Sequence, residues 1–316
     1  MSDKKIIAVV GATGAQGGGL VRAILDDQGG PFAVRAITRN VDSEKAQELA
    51  RMGAEVVAAD IDDAESLNRA LAGAYGAYFV TNFWEHFSPE KEMEQARALA
   101  DAAQQAGLQH VIWSTLEDTR KWVPLDDDSM PTLMESYKVP HFDSKGASDS
   151  YFTELGLPVT FLLTSFYWDN FIHFGMGPQK GPDGKYAIAF PIDDKRLSGI
   201  AAEDIGRTAY GIFKRGPELI GQTVGIAGEH LTGPEMAAAL SKALGFEVHD
   251  TAVTPEMYRS FDVPGAEDLG NMFQFKRDFN DYFCGARKVE ETRALNPALQ
   301  SFDDWLANNA RRIPIE

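Results

Sequence analysis

The sequence predicts an α/β fold built on a doubly wound parallel sheet, with a smaller, mostly helical C-terminal region. Three observations predict it. Short apolar runs alternate with helical patterns up to about residue 165, a glycine-rich turn follows the first run, and aromatic residues, Gly and Pro become frequent after residue 165. The alternation is typical of the Rossmann-type arrangement. We therefore expect a Rossmann domain over residues 1–165 and a smaller region over 166–316, either appended to the first or interleaved with it.

Six short apolar runs are predicted as the strands of the sheet. They lie at residues 6–10, 33–38, 56–59, 77–80, 111–114 and 159–163. Near-continuous apolar runs of this length are typical of parallel strands that are buried on both faces. The sequence therefore predicts six parallel strands separated by helices.

Candidate caps mark the helices. Asp42 is expected to cap a helix that ends at Gly53, and Asp62, with a glutamate three residues later, is expected to cap the next one. A proline-led helix opens at Ser88 and is expected to close at Gly107. Beyond the sheet, helical patterns are predicted at residues 203–214, 234–244, 255–261 and 302–310.

The glycine-rich turn predicts a dinucleotide site. Gly11 lets the chain reverse tightly, Gly14 lets the backbone approach a pyrophosphate, and Gly17 lets the following helix pack closely on the strand. The helix start presents N–H groups and the positive end of its dipole to phosphate. The alternative is an ordinary glycine turn. The predicted contact residues are Gly11, Thr13, Gly14, Ala15, Gln16 and Gly17.

Composition and charge exclude several classes of function. Asp and Glu number 47 against 30 Lys and Arg, and the formal net charge of −17 argues against direct nucleic-acid binding. Cys284 is the only cysteine and the histidines lack metal-ligand spacing, so neither a disulfide nor a metal site is expected. No apolar stretch approaches the roughly 20 residues that span a bilayer. We expect a cytoplasmic protein that does not bind membranes, with a small-molecule substrate, a protein partner or a second copy of itself as its ligand.

Arg39 lies where dinucleotide-binding folds distinguish their cofactors, at the end of the second predicted strand. An acidic residue at this place binds the ribose diol of NAD(H), whereas an arginine accommodates the 2′-phosphate of NADP(H). The alternative is a surface arginine at a strand end. We predict NADP(H), with NAD(H) not excluded. Asp60 and Ile61 are expected to end the third strand, where they would flank an adenine or else begin the next helix cap.

Polar and aromatic residues follow the fourth predicted strand, namely Thr81, Asn82, Phe83 and Trp84. Ligands of open α/β sheets bind at this carboxyl edge, and hydroxyl, amide and aromatic groups suit a ribose and a nicotinamide. The alternative for Phe83 and Trp84 is packing beneath the loop. The sequence therefore predicts the nicotinamide end of the site here.

Several segments together resemble the NmrA-like family of atypical short-chain dehydrogenases, and within it the NADPH-sensing redox regulators. The matching segments are Gly-Ala-Thr-Gly-Ala-Gln-Gly at 11–17, Thr-Arg-Asn at 38–40, Gly-Ala-Glu-Val-Val at 53–57, Val-Thr-Asn at 80–82, His-Phe-Asp-Ser-Lys-Gly at 141–146, Pro-Glu-Met-Tyr at 255–258, and 261–273. The resemblance covers nearly the whole chain. It implies a protein that binds NADP(H) and changes its oligomeric state or partners with the NADPH to NADP ratio.

The resemblance also assigns residues. It implies that residues 11–17 and Arg39 hold the phosphates and that Asp60 and Ile61 flank the adenine. Around the ribose and nicotinamide it places Thr81, Asn82, Phe83, Lys145, Tyr167, Trp168, Asp169 and Asn170. One departure weakens the predicted preference for NADP(H): sensor relatives have further basic residues just after Arg39, whereas residues 41–44 here are Val-Asp-Ser-Glu.

Catalysis is the open point of the sequence. A short-chain dehydrogenase reduces its substrate with a Tyr placed four residues before a Lys, and with a Ser from the fifth strand. Ser114 is in place, but the helix before the sixth strand carries His141 four residues before Lys145, so histidine replaces tyrosine. The chain's one Tyr-x-x-x-Lys, at 210–214, falls on a predicted C-terminal helix and is interpreted as coincidence.

Two hypotheses follow. The chain is either a redox sensor or regulator that responds to NADPH and NADP, or a reductase of a small carbonyl or enone compound that uses Lys145 with Ser114 or His141. The second is supported by related phenylpropanoid reductases, which work through a lysine at a position like Lys145. A cofactor-binding scaffold with a fixed partner is a third reading that the sequence does not separate from the first.

Overall fold

The structure, a computed structural model, describes residues 4–315. The strands are β1 Lys5–Val10, β2 Phe32–Thr38, β3 Glu55–Ala58, β4 Gly76–Phe79, β5 His110–Thr115, β6 Val159–Leu163, β7 Phe166–Tyr167, β8 Gln179–Lys180, β9 Tyr186–Ile188, β10 Leu197–Ile200, β11 Thr223–Gly225, β12 Glu229–Leu231 and β13 Val248–Asp250. The helices are α1 Ala15–Asp26, α2 Glu44–Arg51, α3 Ala64–Leu71, α4 Phe83–His86, α5 Pro89–Ala106, α6 Pro140–Glu154, α7 Asn170–His173, α8 Ala202–Arg215, α9 Gly233–Leu244, α10 Pro255–Arg259, α11 Ala266–Asp278, α12 Asn280–Gly285, α13 Val289–Leu295 and α14 Phe302–Asn309.

A seven-stranded sheet in the order β11-β6-β5-β4-β1-β2-β3 carries the first half of the chain. Strands β1 to β6 pair in parallel; Ile7 of β1, for example, lies opposite Val34 of β2 and Gly76 of β4. The strand order reverses between β1 and β4, and open sheets of this kind bind ligands at the carboxyl ends of the strands at that point. The predicted doubly wound sheet is confirmed, and each of the six predicted strands is present. β11 was not predicted, because a strand of three residues shows no periodicity.

Packing divides the described residues into two units, each discontinuous in sequence. The first comprises residues up to 118, 141–164 and 203–224; the second comprises 119–140, 165–202 and those from 225 onward. The first unit contains β1 to β6 with the helices between them. The second contains two three-stranded sheets, β12-β10-β7 and β13-β9-β8, together with α9 to α14.

Two predicted helix caps are wrong by one residue. The side chain of Ser43, not Asp42, accepts the hydrogen bond from the Ala46 amide at the start of α2. At α3, Asp63 accepts from the amides of residues 65 and 66, while Asp62 forms an ion pair with Lys91 at 2.9 Å. The neighbouring side chain reaches the free amides better in each case, because a cap must lie one position before the first helical residue. The predicted cap Ser88 and the helix end at Gly107 are present.

Glycines bring α1 and α8 of the first unit together backbone to backbone. A Cβ on Gly19 would collide with the Glu203 carbonyl, and a Cβ on Gly206 would collide with the backbone of residues 19 and 20. By contrast, a Cβ on Gly18 would meet mainly the flexible guanidinium of Arg22. The glycines that continue from the turn into α1 therefore do more than shape the turn, because they let a second helix pack on α1.

A histidine is buried without charge in the first unit. The ring of His110 is fully buried, and Nε2 lies 2.9 Å from Oγ1 of Thr160. Since the Thr160 hydroxyl donates its hydrogen to the Leu219 carbonyl at 2.8 Å, Nε2–H of His110 must be the donor to Thr160. Nδ1 has no hydrogen-bond partner among the described residues. Burial lowers the pKa of His110 to about 4.

The free energy of unfolding is therefore expected to decrease as the pH is lowered, because His110 must take up a proton on unfolding. Its pKa is near 6.5 in the unfolded chain and about 4 in the folded chain. Between these values the unfolded chain binds a proton that the folded chain does not, so the contribution is complete above pH 6.5 and is lost as pH falls. From pH 7 to pH 5 the loss is about 2 kcal/mol. Urea unfolding of wild type and His110→Gln at both pH values measures it; equal pH dependence in the two proteins would contradict the prediction.

No helix within residues 4–315 combines the length and apolar character needed to cross a membrane.

Candidate functional site

The glycine turn has the geometry of a loop that lets a ligand approach its backbone. Gly11 has φ of +68°, which side chains rarely adopt, and the Gly14 amide donates to the Gly11 carbonyl at 2.9 Å. A Cβ on Gly17 would collide with that same carbonyl. No side chain caps α1, which starts after Gly14. Among the described residues, the first amides of α1 therefore have no side-chain cap, and beside them Thr13 is half-buried and Ala15 is exposed.

Gln16 connects this turn to the sheet. Its Oε1 accepts hydrogen bonds from the Tyr78 hydroxyl on β4 and from the Ser114 hydroxyl on β5, the latter at 2.8 Å. Gln16, Tyr78 and Ser114 are all buried. Ser114 thus lies on the fifth strand as predicted, but its hydroxyl donates to Gln16 at the start of α1.

Arg39 lies just after β2 and is exposed. Its guanidinium forms a two-pronged ion pair with Glu85 of α4, with Nη1–Oε1 and Nη2–Oε2 distances of 2.5 and 3.2 Å. The prediction that Asp60 and Ile61 end the third strand is wrong: β3 ends at Ala58, and the two residues follow it at the start of a turn. The Asp60 carboxylate accepts a hydrogen bond from the Asp62 amide at 3.0 Å, and Ile61 is half-buried.

A buried ion pair lies at the carboxyl end of β4. The Lys145 ammonium donates to the Glu92 carboxylate, to the Thr81 hydroxyl at 2.6 Å and to the Thr81 carbonyl at 3.1 Å. The Thr81 hydroxyl in turn donates to Glu92 Oε1 at 2.5 Å. Glu92 is fully buried and Lys145 is 9% exposed. These bonds use all three donors of the ammonium.

The Glu92 carboxylate is held in its charged form. Burial alone would raise its pKa, but the charge and hydrogen bond of Lys145, with the hydrogen bond from Thr81, hold the pKa of Glu92 below its usual range. His86 lies beside the second carboxylate oxygen of Glu92. Its Nε2 is 3.3 Å from Oε2, but the two atoms do not form a hydrogen bond. The Ser88 amide donates to Nδ1 of His86, so in the neutral ring Nε2 carries the proton that faces Glu92.

Aromatic side chains surround the short helix α4. Phe83 is buried, and its ring centroid lies 5.4 Å from Trp84 and 5.9 Å from His141. The Trp84 and His141 rings are 4.8 Å apart. Asn82, which precedes α4, is exposed. His141 is therefore buried in the first turn of α6 against aromatic rings, near the lysine that follows it by one helical turn.

The four remaining predicted residues belong to the second unit. Tyr167 is half-buried at the end of β7. Trp168 is 1% exposed, with ring centroids 5.3 Å from Phe302 and 6.5 Å from Trp305. The carboxylate of Asp169 accepts a hydrogen bond from the Ala202 amide at 2.8 Å, and the half-buried Asn170 begins α7.

The Tyr-x-x-x-Lys of α8 has structural partners. The Tyr210 hydroxyl donates to the Asp27 carboxylate at 2.7 Å, just after the end of α1, and Lys214 lies over the Tyr210 ring. Burial and the neighbouring carboxylate raise the pKa of Tyr210 above its usual value. A tyrosine that has a raised pKa and is hydrogen-bonded to a carboxylate is a poor proton donor. These surroundings agree with the interpretation that the Tyr-x-x-x-Lys at 210–214 is a coincidence.

Sequence reasoning missed Glu85, His86 and Glu92. For Glu92 a signal existed: on α5 it shares the buried face with Ala96, Leu99 and Ala103, so a charged residue occupies an apolar helical position. A charge at such a position needs a buried partner. Nothing local marks Glu85, whose partner lies 46 residues away. Among the described residues no group of His, Cys, Asp and Glu is arranged to hold a metal ion.

Comparison with known proteins gives a consistent match. A family model described as the NmrA-like family matches residues 3–306. An NmrA-like family domain-containing protein of Dictyostelium discoideum is 29% identical, covering 96% of this chain and 97% of the relative. The NmrA-like family domain-containing oxidoreductase FrzB of Cladobotryum sp is 29% identical, covering 92% of this chain and 89% of the relative.

A solved structure matches over nearly the same extent. NmrA, described as a negative transcriptional regulator, is 27% identical in its complex with NADP, with a TM-score of 0.79 and coverage of 96% of this chain and 94% of that one. Its complex with NAD matches with the same TM-score at 26% identity, again over 96% of this chain and 94% of that one.

Proposed function

Because the chain belongs to the NmrA-like family, we propose that it binds NADP(H), and NAD(H) with lower affinity, and acts as a redox regulator that responds to the NADPH to NADP ratio through conformation or partner binding. Two observations fit a dinucleotide. Gly17 leaves no room for a Cβ behind the turn, and among the described residues no side chain caps the first amides of α1. The NADP and NAD complexes of NmrA support this choice of ligand.

The residues of the first unit have distinct roles in this proposal. Residues 11–17 would hold the pyrophosphate and Arg39 the 2′-phosphate, with Asp60 and Ile61 beside the adenine. Thr81, Asn82, Phe83 and Lys145 would surround the ribose and nicotinamide. To bind the ribose, Lys145 would exchange one of its bonds to Thr81 or Glu92 for a ribose hydroxyl. When bound, the nicotinamide supplies a hydride donor or acceptor. Of the second unit, Tyr167, Trp168, Asp169 and Asn170 stay assigned to the nicotinamide end by resemblance alone.

One observation favours regulation over catalysis: each candidate catalytic side chain already contacts other residues of the protein. Lys145 donates its three protons to Thr81 and Glu92, the Ser114 hydroxyl donates to Gln16, and His141 is buried against aromatic rings. A group that transfers a proton to a substrate must be within hydrogen-bond reach of it in the complex. Such engagement favours a site that holds the nucleotide over one that reacts with a further molecule.

Regulation requires that the oxidised and reduced nucleotides bind with different affinity, since a ligand that binds two states equally shifts nothing. Calorimetric titration with NADPH and NADP+, together with the oligomeric state and hydrogen exchange of both complexes, tests this. We expect different affinities and different exchange in at least one segment. Equal affinities with identical exchange and oligomeric state would refute the regulator.

Arg39→Ala is expected to weaken NADP+ binding about tenfold, because it removes charge-assisted hydrogen bonds to the 2′-phosphate. Binding of NAD+ should change by less than about twofold, since NAD+ has no 2′-phosphate. Arg51→Ala, which removes the same charge from an exposed position at the end of α2, is the matched control. An equal loss for both nucleotides would contradict the assignment of Arg39.

A reductase is the second candidate, supported by relatives that are named oxidoreductases, such as FrzB. In that case the nucleotide would displace Lys145 or Ser114 from its present partner. A panel of carbonyl and enone compounds, followed by NADPH absorbance, tests it. Turnover that is lost in Lys145→Met while NADP+ still binds would establish the reductase, whereas no turnover across the panel would count against it.

A further inference from the structure

Glu85 is the partner of Arg39, and the pair has the geometry of phosphate recognition. Two guanidinium nitrogens bind the two carboxylate oxygens in parallel, at 2.5 and 3.2 Å. This is the fork by which arginine also binds a phosphate. The Glu85 carboxylate therefore occupies the donors of Arg39 that a 2′-phosphate would use.

The carboxylate lies on an anchored element rather than on a freely moving loop. The Glu85 amide donates to the Asn82 carbonyl at 3.1 Å, and the Phe87 amide donates to the Phe83 carbonyl at 2.8 Å. Phe83 is 2% exposed, which fixes the start of α4. Because the buried Phe83 anchors the start of α4, Glu85, two residues later, stays near Arg39 when their ion pair opens.

The surroundings of Arg39 are acidic. Besides Glu85, the carboxylates of Asp60 and Asp62 act on its charge. Asp62 is paired with Lys91, so its charge is partly compensated. Glu85 is therefore the carboxylate that both pairs with the arginine and would stand next to an incoming phosphate.

We propose that Glu85 is a specificity-determining residue that competes with the 2′-phosphate for Arg39 and lowers the preference of the protein for NADP(H) over NAD(H). The inference rests on the proposed function, because it assumes that Arg39 binds the 2′-phosphate. NADP(H) must open the ion pair and then bind beside a negative charge. NAD(H), which lacks the phosphate, leaves the pair intact.

The effect is expected to be moderate, because both side chains are partly exposed to water. Exposed ion pairs contribute up to about 1 kcal/mol, which corresponds to about fivefold in affinity. Glu85→Gln removes the charge and keeps the shape of the side chain. It should strengthen NADP+ binding about fivefold and leave NAD+ binding within about twofold of wild type.

The test is a calorimetric titration of wild type, Glu85→Gln and Glu85→Ala with NADP+ and with NAD+. Glu94→Gln is the matched control: it removes the same charge from α5, where Glu94 is exposed and lies 3.8 Å from Lys91. Arg39→Ala and the double variant Arg39→Ala/Glu85→Gln complete a cycle. Circular dichroism and thermal melting confirm that each variant is folded.

The expected results are a larger NADP+ to NAD+ affinity ratio in both Glu85 variants, little change in Glu94→Gln, and a smaller gain from Glu85→Gln when Arg39 is absent, because only the repulsion between Glu85 and the phosphate is then relieved. An unchanged ratio, the same change in Glu94→Gln, or a gain that is as large without Arg39 as with it would overturn the competition between Glu85 and the 2′-phosphate. If wild type binds neither nucleotide, the proposed function itself fails and this inference with it. If wild type binds both nucleotides and the Glu85 variants do not alter the ratio, only the inference about Glu85 fails.

Discussion

Glu92→Ala is expected to destabilise the fold by about 3–5 kcal/mol, the usual cost of removing one partner from a buried ion pair. Glu92 is fully buried, and Lys145 is 9% exposed. The substitution leaves the ammonium in the same surroundings without its carboxylate, and it takes the acceptor of the Thr81 hydroxyl with it. Urea unfolding at pH 7 measures the loss.

Two further variants make this result specific. Glu94→Ala, on the exposed face of the same helix, should change stability by less than about 0.5 kcal/mol. The double variant Glu92→Leu/Lys145→Met should be more stable than Glu92→Ala, since apolar replacement of a whole buried pair is often neutral. A loss below about 1 kcal/mol in Glu92→Ala would show that water reaches the pair.

Gly206→Ala is expected to destabilise the fold by about 2–3 kcal/mol. The new methyl group would collide with the backbone of residues 19 and 20, which cannot rotate away as a side chain could. The loss remains after the roughly 1 kcal/mol that alanine gains over glycine inside a helix. Thermal and urea unfolding measure it.

Gly18→Ala is the matched control for this prediction. It lies on α1 within the same glycine run, but the nearest atoms to its Cβ belong to the movable guanidinium of Arg22, with the Ala12 carbonyl at 3.4 Å. Helix propensity should therefore make Gly18→Ala neutral or slightly stabilising. Similar losses of stability in the two variants would show that the backbone contact between α1 and α8 is not the reason why residue 206 must be a glycine.

The parts of the fold that the sequence predicted are those with strong local patterns. Of the six predicted strands, β4, β5 and β6 are buried throughout and β1 is buried over its last four residues, so apolar residues dominate these strands in the sequence. The helix from Ser88 to Gly107 has a cap, a proline and a left-handed glycine, three local signals that agree. The short strands of the second unit have two to four residues, too few to show a period of two, and they were not predicted.

The candidate site was predictable only in part, because its pairs are distant in sequence. Lys145 and Glu92 are 53 residues apart, and Arg39 and Glu85 are 46 apart. The chemical type of each predicted residue indicated which group of a ligand it could bind. It did not indicate which side chain of the protein already binds that residue. The pairing of Glu92 with Lys145 and of Glu85 with Arg39 became visible only with the structure.

The hydrogen bonds of Gln16 bear on the thermodynamics of whatever ligand the turn receives. One amide oxygen ties the start of α1 to Tyr78 of β4 and to Ser114 of β5. A loop that is already ordered by the sheet loses little conformational freedom when a ligand arrives, so less of the interaction energy is spent on ordering it. Gln16→Ala should therefore make binding entropically less favourable even though the turn keeps its own backbone amides.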